Sequence, residues 1–302
     1  MTGMPSDDMG TPREDAAPAE GAVPDAAPSA DAAPAEGEVR DAAPAADAAA
    51  RYVYGIVPAD DTDRADLGDV GLDGSRVRVV VQGQVGALVH DCASRPYDGA
   101  GTTVAAAWVL AHHQVLQLAM TRWGCVLPMT FNTIVASSEG KTADENLLDW
   151  LEAENASLRS RVDALVGKAE FGLQVSYLPA VMLRQVAAEV PEIRRLEEEA
   201  KTKSAGLAYF TRQEMERVLR REMEGRVRDL FTSVYERARA CSDRVTIEKL
   251  KNDGSDARMA ANLSCLVVLD RYPELEALAD EIAGHEGQTA RLVGPLPPYS
   301  FC

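Results

Sequence analysis

Apolar positions along the chain switch between a period of two and a period near 3.6, the marks of half-buried strands and amphipathic helices. Residues 52–57 (YVYGIV) alternate aromatic and β-branched side chains and stop at Pro58, which predicts a first strand. Residues 77–81 and 85–90 predict two more, joined by a hairpin turn at Gln82-Gly83-Gln84. Over 103–120, Val104, Trp108, Ala111, Val115, Leu116 and Ala119 recur at helical spacing. The stretch 122–136 (RWGCVLPMTFNTIVA) then breaks the helix: Gly124 suits a C′ position with φ > 0, and Pro128 removes a backbone donor. From Cys125 its apolar and β-branched residues predict a buried strand.

A second helix is predicted over 141–166 (Leu147, Leu148, Leu151, Leu158, Val162, Leu165) and ends at Gly167; a strand follows at 171–177. A helical stretch over 179–199 leads into the longest helix, 207–241. Its apolar positions (Phe210, Met215, Val218, Leu219, Met223, Val227, Leu230, Phe231, Val234, Ala238) read as one continuous stripe. At 1.5 Å per residue it would be about 50 Å long, more than a small domain needs, with an Arg/Glu-rich opposite face. Strands at 245–250 and 260–269, a short helix beginning at Pro273 and ending by Gly284, and a strand at 289–293 complete the pattern.

The order predicts an α+β protein with four parts. Residues 1–50 form a disordered acidic Ala/Pro-rich tail, and 51–140 a small α+β sheet domain. Residues 141–294 form a modified ferredoxin-like domain with extra long helices in its first crossover, and 295–302 a closing Pro/aromatic tail. The first part repeats DAAP from Asp15, Asp25, Asp31 and Asp41 and has no aromatic residue, so it cannot bury enough apolar surface to offset ordering entropy. It carries a net charge of −9, leaving −8 on the rest. That mild acidity, with no Lys/Arg cluster, argues against a nucleic-acid surface. The tail lacks the basic start and apolar core of a targeting peptide, and no apolar run of 18 residues predicts a membrane span.

Cys92, Cys125, Cys241, Cys265 and Cys302 are odd in number, scattered and without a C-x-x-C pair, which points to free thiols in a reducing cytosol. His112 and His113 are neighbours on one predicted helix and cannot present two nitrogens to one metal. None of the short nucleotide, hydrolase or metalloprotease motifs occurs, so an enzyme has no named residues here. The candidates that remain are contact residues: Phe210, Leu219 and Met223 on the long helix, and Pro298, Tyr299 and Phe301 in the tail. Two readings of the tail stand: it packs between the two domains and fixes their angle, or its proline-ordered aromatic residues bind a partner.

RYVYGIV, then Ala107, Ala111 and His112 on the first helix, then WGCVLPMTFNTIV, and finally GPLPPYSF follow one another through residues 51–302. Together they resemble the gas vesicle protein F/L family (GvpF/GvpL). The usual family form of the middle strand has a basic residue and a glycine around the phenylalanine. Here Thr130 and Asn132 flank Phe131, and asparagine tolerates φ > 0. The resemblance implies a non-enzymatic minor component or assembly factor of gas vesicles, in the cytoplasm and at the vesicle. It implies no cofactor, no metal, and binding to the small hydrophobic shell protein and other gas vesicle accessory proteins. A ligand-binding regulatory module on the ferredoxin-like domain is the alternative from the fold.

Overall fold

β1 (Ala50–Pro58) is the strand around which the first half is arranged. A computed structural model of the chain describes residues 49–59, 65–99, 101, 103–251 and 254–302. The tail expected over 1–50 lies outside the described residues except at its end, where Ala50 is already a buried strand residue. β1 pairs antiparallel with β4 (Val85–Cys92) on one side, and with β5 (Leu127–Pro128) and β6 (Ile134–Ala136) on the other. β2 (Asp66–Gly68) and β3 (Val77–Gln82) extend the sheet, giving the order β2-β3-β4-β1-β5.

Because β1 is central, both of its faces are buried. Tyr52 and Tyr54 share one cluster with Val115, Leu116 and Ala119 of α1 (Thr103–Trp123). Val53 and Ile56 share another with Leu147 and Leu151 of α2 (Ala143–Ala153) and Leu158 and Val162 of α3 (Asn155–Asp163). Gly55 allows a close approach: a Cβ there would lie 2.8 Å from both Leu116 and Val126 side chains.

The expected helix 141–166 is two helices. Thr142 and Glu145 form a reciprocal capping box that starts α2. The break at Glu154 has a tertiary cause, because Asn155 Nδ2 donates to the Gln82 carbonyl at 2.6 Å and ties α3 to the β3–β4 turn. The stretch 122–136 is likewise two short strands around a turn, and not one strand. Gly124 ends α1 at φ 72, and Asn132 sits at φ 69 in the turn.

The second half is built on β7 (Lys168–Tyr177) and β9 (Arg258–Val268), with β8 (Arg244–Ile247) and β10 (Gln288–Leu296) at the edges. All pairs are antiparallel and the order is β10-β7-β9-β8. Between β7 and β8 run α4 (Pro179–Glu189), α5 (Pro191–Thr202) and α6 (Ala205–Cys241); between β9 and β10 runs α7 (Tyr272–Ala283). Pro191 splits the helical stretch expected over 179–199, since it has no N–H to continue the ladder. One face of the sheet (Phe171, Leu173, Leu263, Cys265) is covered by Val234 and Ala238 of α6 and by Leu275, Leu278 and Ile282 of α7. On the other face, Leu266 joins the cluster formed by β1, α2 and α3. Mixed helix and sheet thus give an α+β fold, and the described residues fall in one compact unit.

Candidate functional site

Three surfaces and one buried network are available for function. The network lies under α1. The Asn132 backbone N–H donates to Tyr52 Oη at 3.2 Å, and the same hydroxyl lies 2.9 Å from His112 Nδ1. Leu72 N–H donates to Tyr54 Oη at 2.9 Å, and that hydroxyl in turn faces His90 Nδ1 at 2.8 Å. His90 Nε2 then reaches Tyr97 Oη at 2.9 Å. Both imidazoles are neutral near pH 7, because burial disfavours the charged form. Burial pushes His90 and His112 down to about 4, and pushes the Tyr52 and Tyr54 phenols upward. Tyr52 packs edge-on against His112, Tyr97 and Phe131, so the network is also an aromatic cluster. It joins α1, the strands β1 and β4, the loop carrying Tyr97 and the Asn132 turn. Its groups satisfy one another, which is a positioning role. Cys92, Cys125, Cys241 and Cys265 are buried free thiols, and burial raises Cys92 and Cys125 to about 11 and Cys265 to about 12. Among the described residues no group of three His, Cys, Asp or Glu is placed to hold a metal.

The tail forms the first surface, and it is turned inward. Pro297 and Pro298 are buried. Tyr299 Oη lies 2.9 Å from His113 Nδ1 on α1. Ser300 donates twice to the buried carboxylate of Glu170, from N–H and from Oγ, each at 2.8 Å. Phe301 packs on the cluster of β1, α2 and α3, with the Arg244 guanidinium 5.1 Å above its ring. The tail thus ties β7 and β8 of the second sheet to α1.

The long helix supplies the second surface and separates the residues expected to form one stripe. Leu219 and Met223 pack beside Val218 against α4 and α5, and line a groove of about 570 Å³ with Tyr177 and Val227. Phe210 is nine residues from Leu219, about 900° of helical rotation, and so projects to the opposite side. It is 66% exposed beside exposed Leu207 and Tyr209. The expected continuous stripe is therefore two separate faces.

The third surface was not singled out by sequence reasoning. α1 buries His112, Val115, Leu116 and Ala119, which leaves Leu110 (56% exposed) and Leu118 (43%) facing outward, with Val104 and Val109 also exposed. No Asp, Glu, Lys or Arg occurs over residues 103–121, in a chain that is 26% charged. That missing charge is the signal a sequence reading could have used.

Residues 50–302 match the family described as "Gas vesicle synthesis protein GvpL/GvpF". The chain belongs to the GvpL/GvpF family. Gas vesicle protein L2 of Halobacterium salinarum is 30% identical over 258 residues, covering 83% of this chain and 90% of that protein. Gas vesicle protein F of a Streptomyces species is 31% identical over 263 residues, covering 83% and 98%. The fold is similar to the crystal structure of GvpF from Anabaena (TM-score 0.64, 17% identity, 84% of this chain and 98% of that one). GvpF from Microcystis aeruginosa gives a TM-score of 0.56 at 18% identity over the same shares. Among the described residues no helix is long and apolar enough to cross a membrane.

Proposed function

We propose that this GvpL/GvpF chain is a non-enzymatic minor component or assembly factor of gas vesicles that binds the small hydrophobic shell protein and supports vesicle nucleation. The observation that carries the reading is the uncharged outward face of α1, with Leu110 and Leu118 at its centre. Exposed apolar helix faces of this kind mark interaction sites, and they suit an apolar partner helix laid alongside. Phe210, with Leu207 and Tyr209, is a second contact for the shell protein or another gas vesicle accessory protein. Pro298, Tyr299 and Phe301 act within the chain: they dock the second sheet against the first and hold α1 in place.

The two sheets are the cores of two domains in this reading, with limits near 51–140 and 141–294. The order β10-β7-β9-β8, with helices in both crossovers, supports a modified ferredoxin-like second domain. The packing of α2 and α3 on β1 favours moving the first limit past Asp163. The protein works in the cytoplasm and at the vesicle, without contact to nucleic acid or membrane. The test is capture of the shell protein by the full chain and by a Leu110→Asp/Leu118→Asp variant. The native chain retains the shell protein and the variant loses it; equal capture by both would sink the assignment.

A further inference from the structure

α6 carries four exposed charges at intervals of four residues, Arg212, Glu216, Arg220 and Glu224, and their signs alternate. Among the described residues none of the four is in an ion pair, whereas neighbouring Arg217, Arg221 and Arg226 bind Glu214, Glu222 and Glu189. Residues four apart form a ridge along a helix. Beside this charged ridge runs an apolar one, Leu219, Met223 and Val227, and the groove lies between them, closed at one end by Tyr177. Arg220 is two residues beyond buried Val218, about 200° around the helix, so the charged ridge faces away from α4 and α5.

A ridge of signs plus, minus, plus, minus is complementary to itself when read in the opposite direction. If a second α6 lies antiparallel with Glu216 opposite Arg220, then Arg220 meets Glu216, Arg212 meets Glu224, and Glu224 meets Arg212. All four charges are paired, and the arrangement is the one a two-fold axis generates. In that register Leu219, Met223 and Val227 of each helix come level with Arg217, Gln213 and Tyr209 of the other, so the charged ridge and not the apolar one carries the match. We propose that the charged ridge beside this groove is a self-association surface, paired with the same ridge of a second copy of the chain in an antiparallel, two-fold arrangement. The unmatched charges then act as the register that sets which turns meet.

The experiment is sedimentation equilibrium of the full chain over a concentration series at about 0.15 M salt, where exposed charges still interact across about 8 Å. The native chain shows a concentration-dependent dimer. Arg220→Glu and Glu216→Arg each weaken it by about tenfold or more, because symmetry replaces two attractive contacts with two repulsive ones. The double exchange Glu216→Arg/Arg220→Glu returns the affinity to within about threefold of native, since every pair is restored with its signs reversed. Far-UV circular dichroism is unchanged in all three variants, because both positions are exposed. A chain that stays monomeric at its highest soluble concentration overturns the proposal and leaves the groove to another protein's helix. A dimer indifferent to the single reversals, or one the double exchange does not restore, also overturns it.

Discussion

The side chain of Asn132 binds both backbone groups of Tyr97: its Oδ1 accepts from the Tyr97 N–H at 2.9 Å, and its Nδ2 donates to the Tyr97 carbonyl at 3.2 Å. Asn132 holds φ 69 while doing so, and its own N–H donates to Tyr52 Oη. One residue thus sets the turn between β5 and β6, anchors the loop after β4 and orients the phenol that faces His112. Asn132→Gly keeps the backbone conformation and removes the side-chain bonds, at an expected loss of about 1–2 kcal/mol. Asn132→Val adds a β-branched side chain at positive φ and loses about 2–4 kcal/mol. Urea unfolding of both variants checks the order; a valine variant as stable as the glycine one would contradict the backbone argument.

The buried histidines give a pH dependence of fixed sign. His90 and His112 are held at about 4 in the folded chain, against an ordinary value of 6.5. Between these values the unfolded chain binds more protons than the folded one, so stability rises with pH. Their contribution is complete above about pH 6.5 and is lost as pH falls toward 4, with a slope of about 1.4 kcal/mol per pH unit for each histidine. Denaturant unfolding therefore shows a slope that approaches two protons at about pH 5 to 5.5, midway between the two values, and falls away toward pH 7. The carboxylate of Asp144, held below its ordinary value first of all by its hydrogen bond from Arg51, is lost only at lower pH. A flat profile between pH 6.5 and 5 would show that neither imidazole is desolvated as described.

Much of this fold was legible from local signals. The alternation in 52–57, the hairpin at Gly83, the helix stop at Gly124 and the tolerance of Asn132 for positive φ all describe conformations set by a residue and its near neighbours. What stayed hidden depends on partners far along the chain. Asn155 breaks a helix because it reaches Gln82, 73 residues away. Ser300 finds Glu170 across 130 residues, and nothing near Glu170 in sequence announces a buried carboxylate. The division of the α6 apolar positions was within reach of sequence, since the rotation from Phe210 to Leu219 is fixed by helix geometry. The break at Pro191 was also visible, and the strength of the flanking apolar pattern concealed it.

The contact between the tail and Glu170 predicts a stability effect that local packing does not. Glu170 is buried on the face of β7 that meets the tail, and the two donors from Ser300 are its hydrogen bonds among the described residues. Ser300→Ala removes one donor to a buried carboxylate and costs about 1.5–3 kcal/mol. With Glu170→Gln in place the same substitution costs less, because no charge is left undersatisfied. A double-mutant cycle by thermal unfolding reads the coupling. Additive effects would mean that the tail is held by Phe301 and the prolines alone.

Stability and partner binding should separate on α1. The outward residues Leu110 and Leu118 make no part of the buried cluster, whereas Val115 and Leu116 are wholly buried in it. Leu110→Asp/Leu118→Asp therefore leaves the unfolding midpoint within about 0.5 kcal/mol of native, the range for exposed substitutions. Leu116→Ala, by contrast, empties space beside Gly55 and Val126 and costs about 2–5 kcal/mol. If the outward face is the shell-protein contact, the exposed double variant loses capture while keeping its fold, and the core variant retains capture at temperatures where it remains folded. The discriminating measurement is capture of the shell protein by both variants at one temperature, alongside their unfolding curves. Loss of capture that tracks stability alone would place the contact somewhere other than α1.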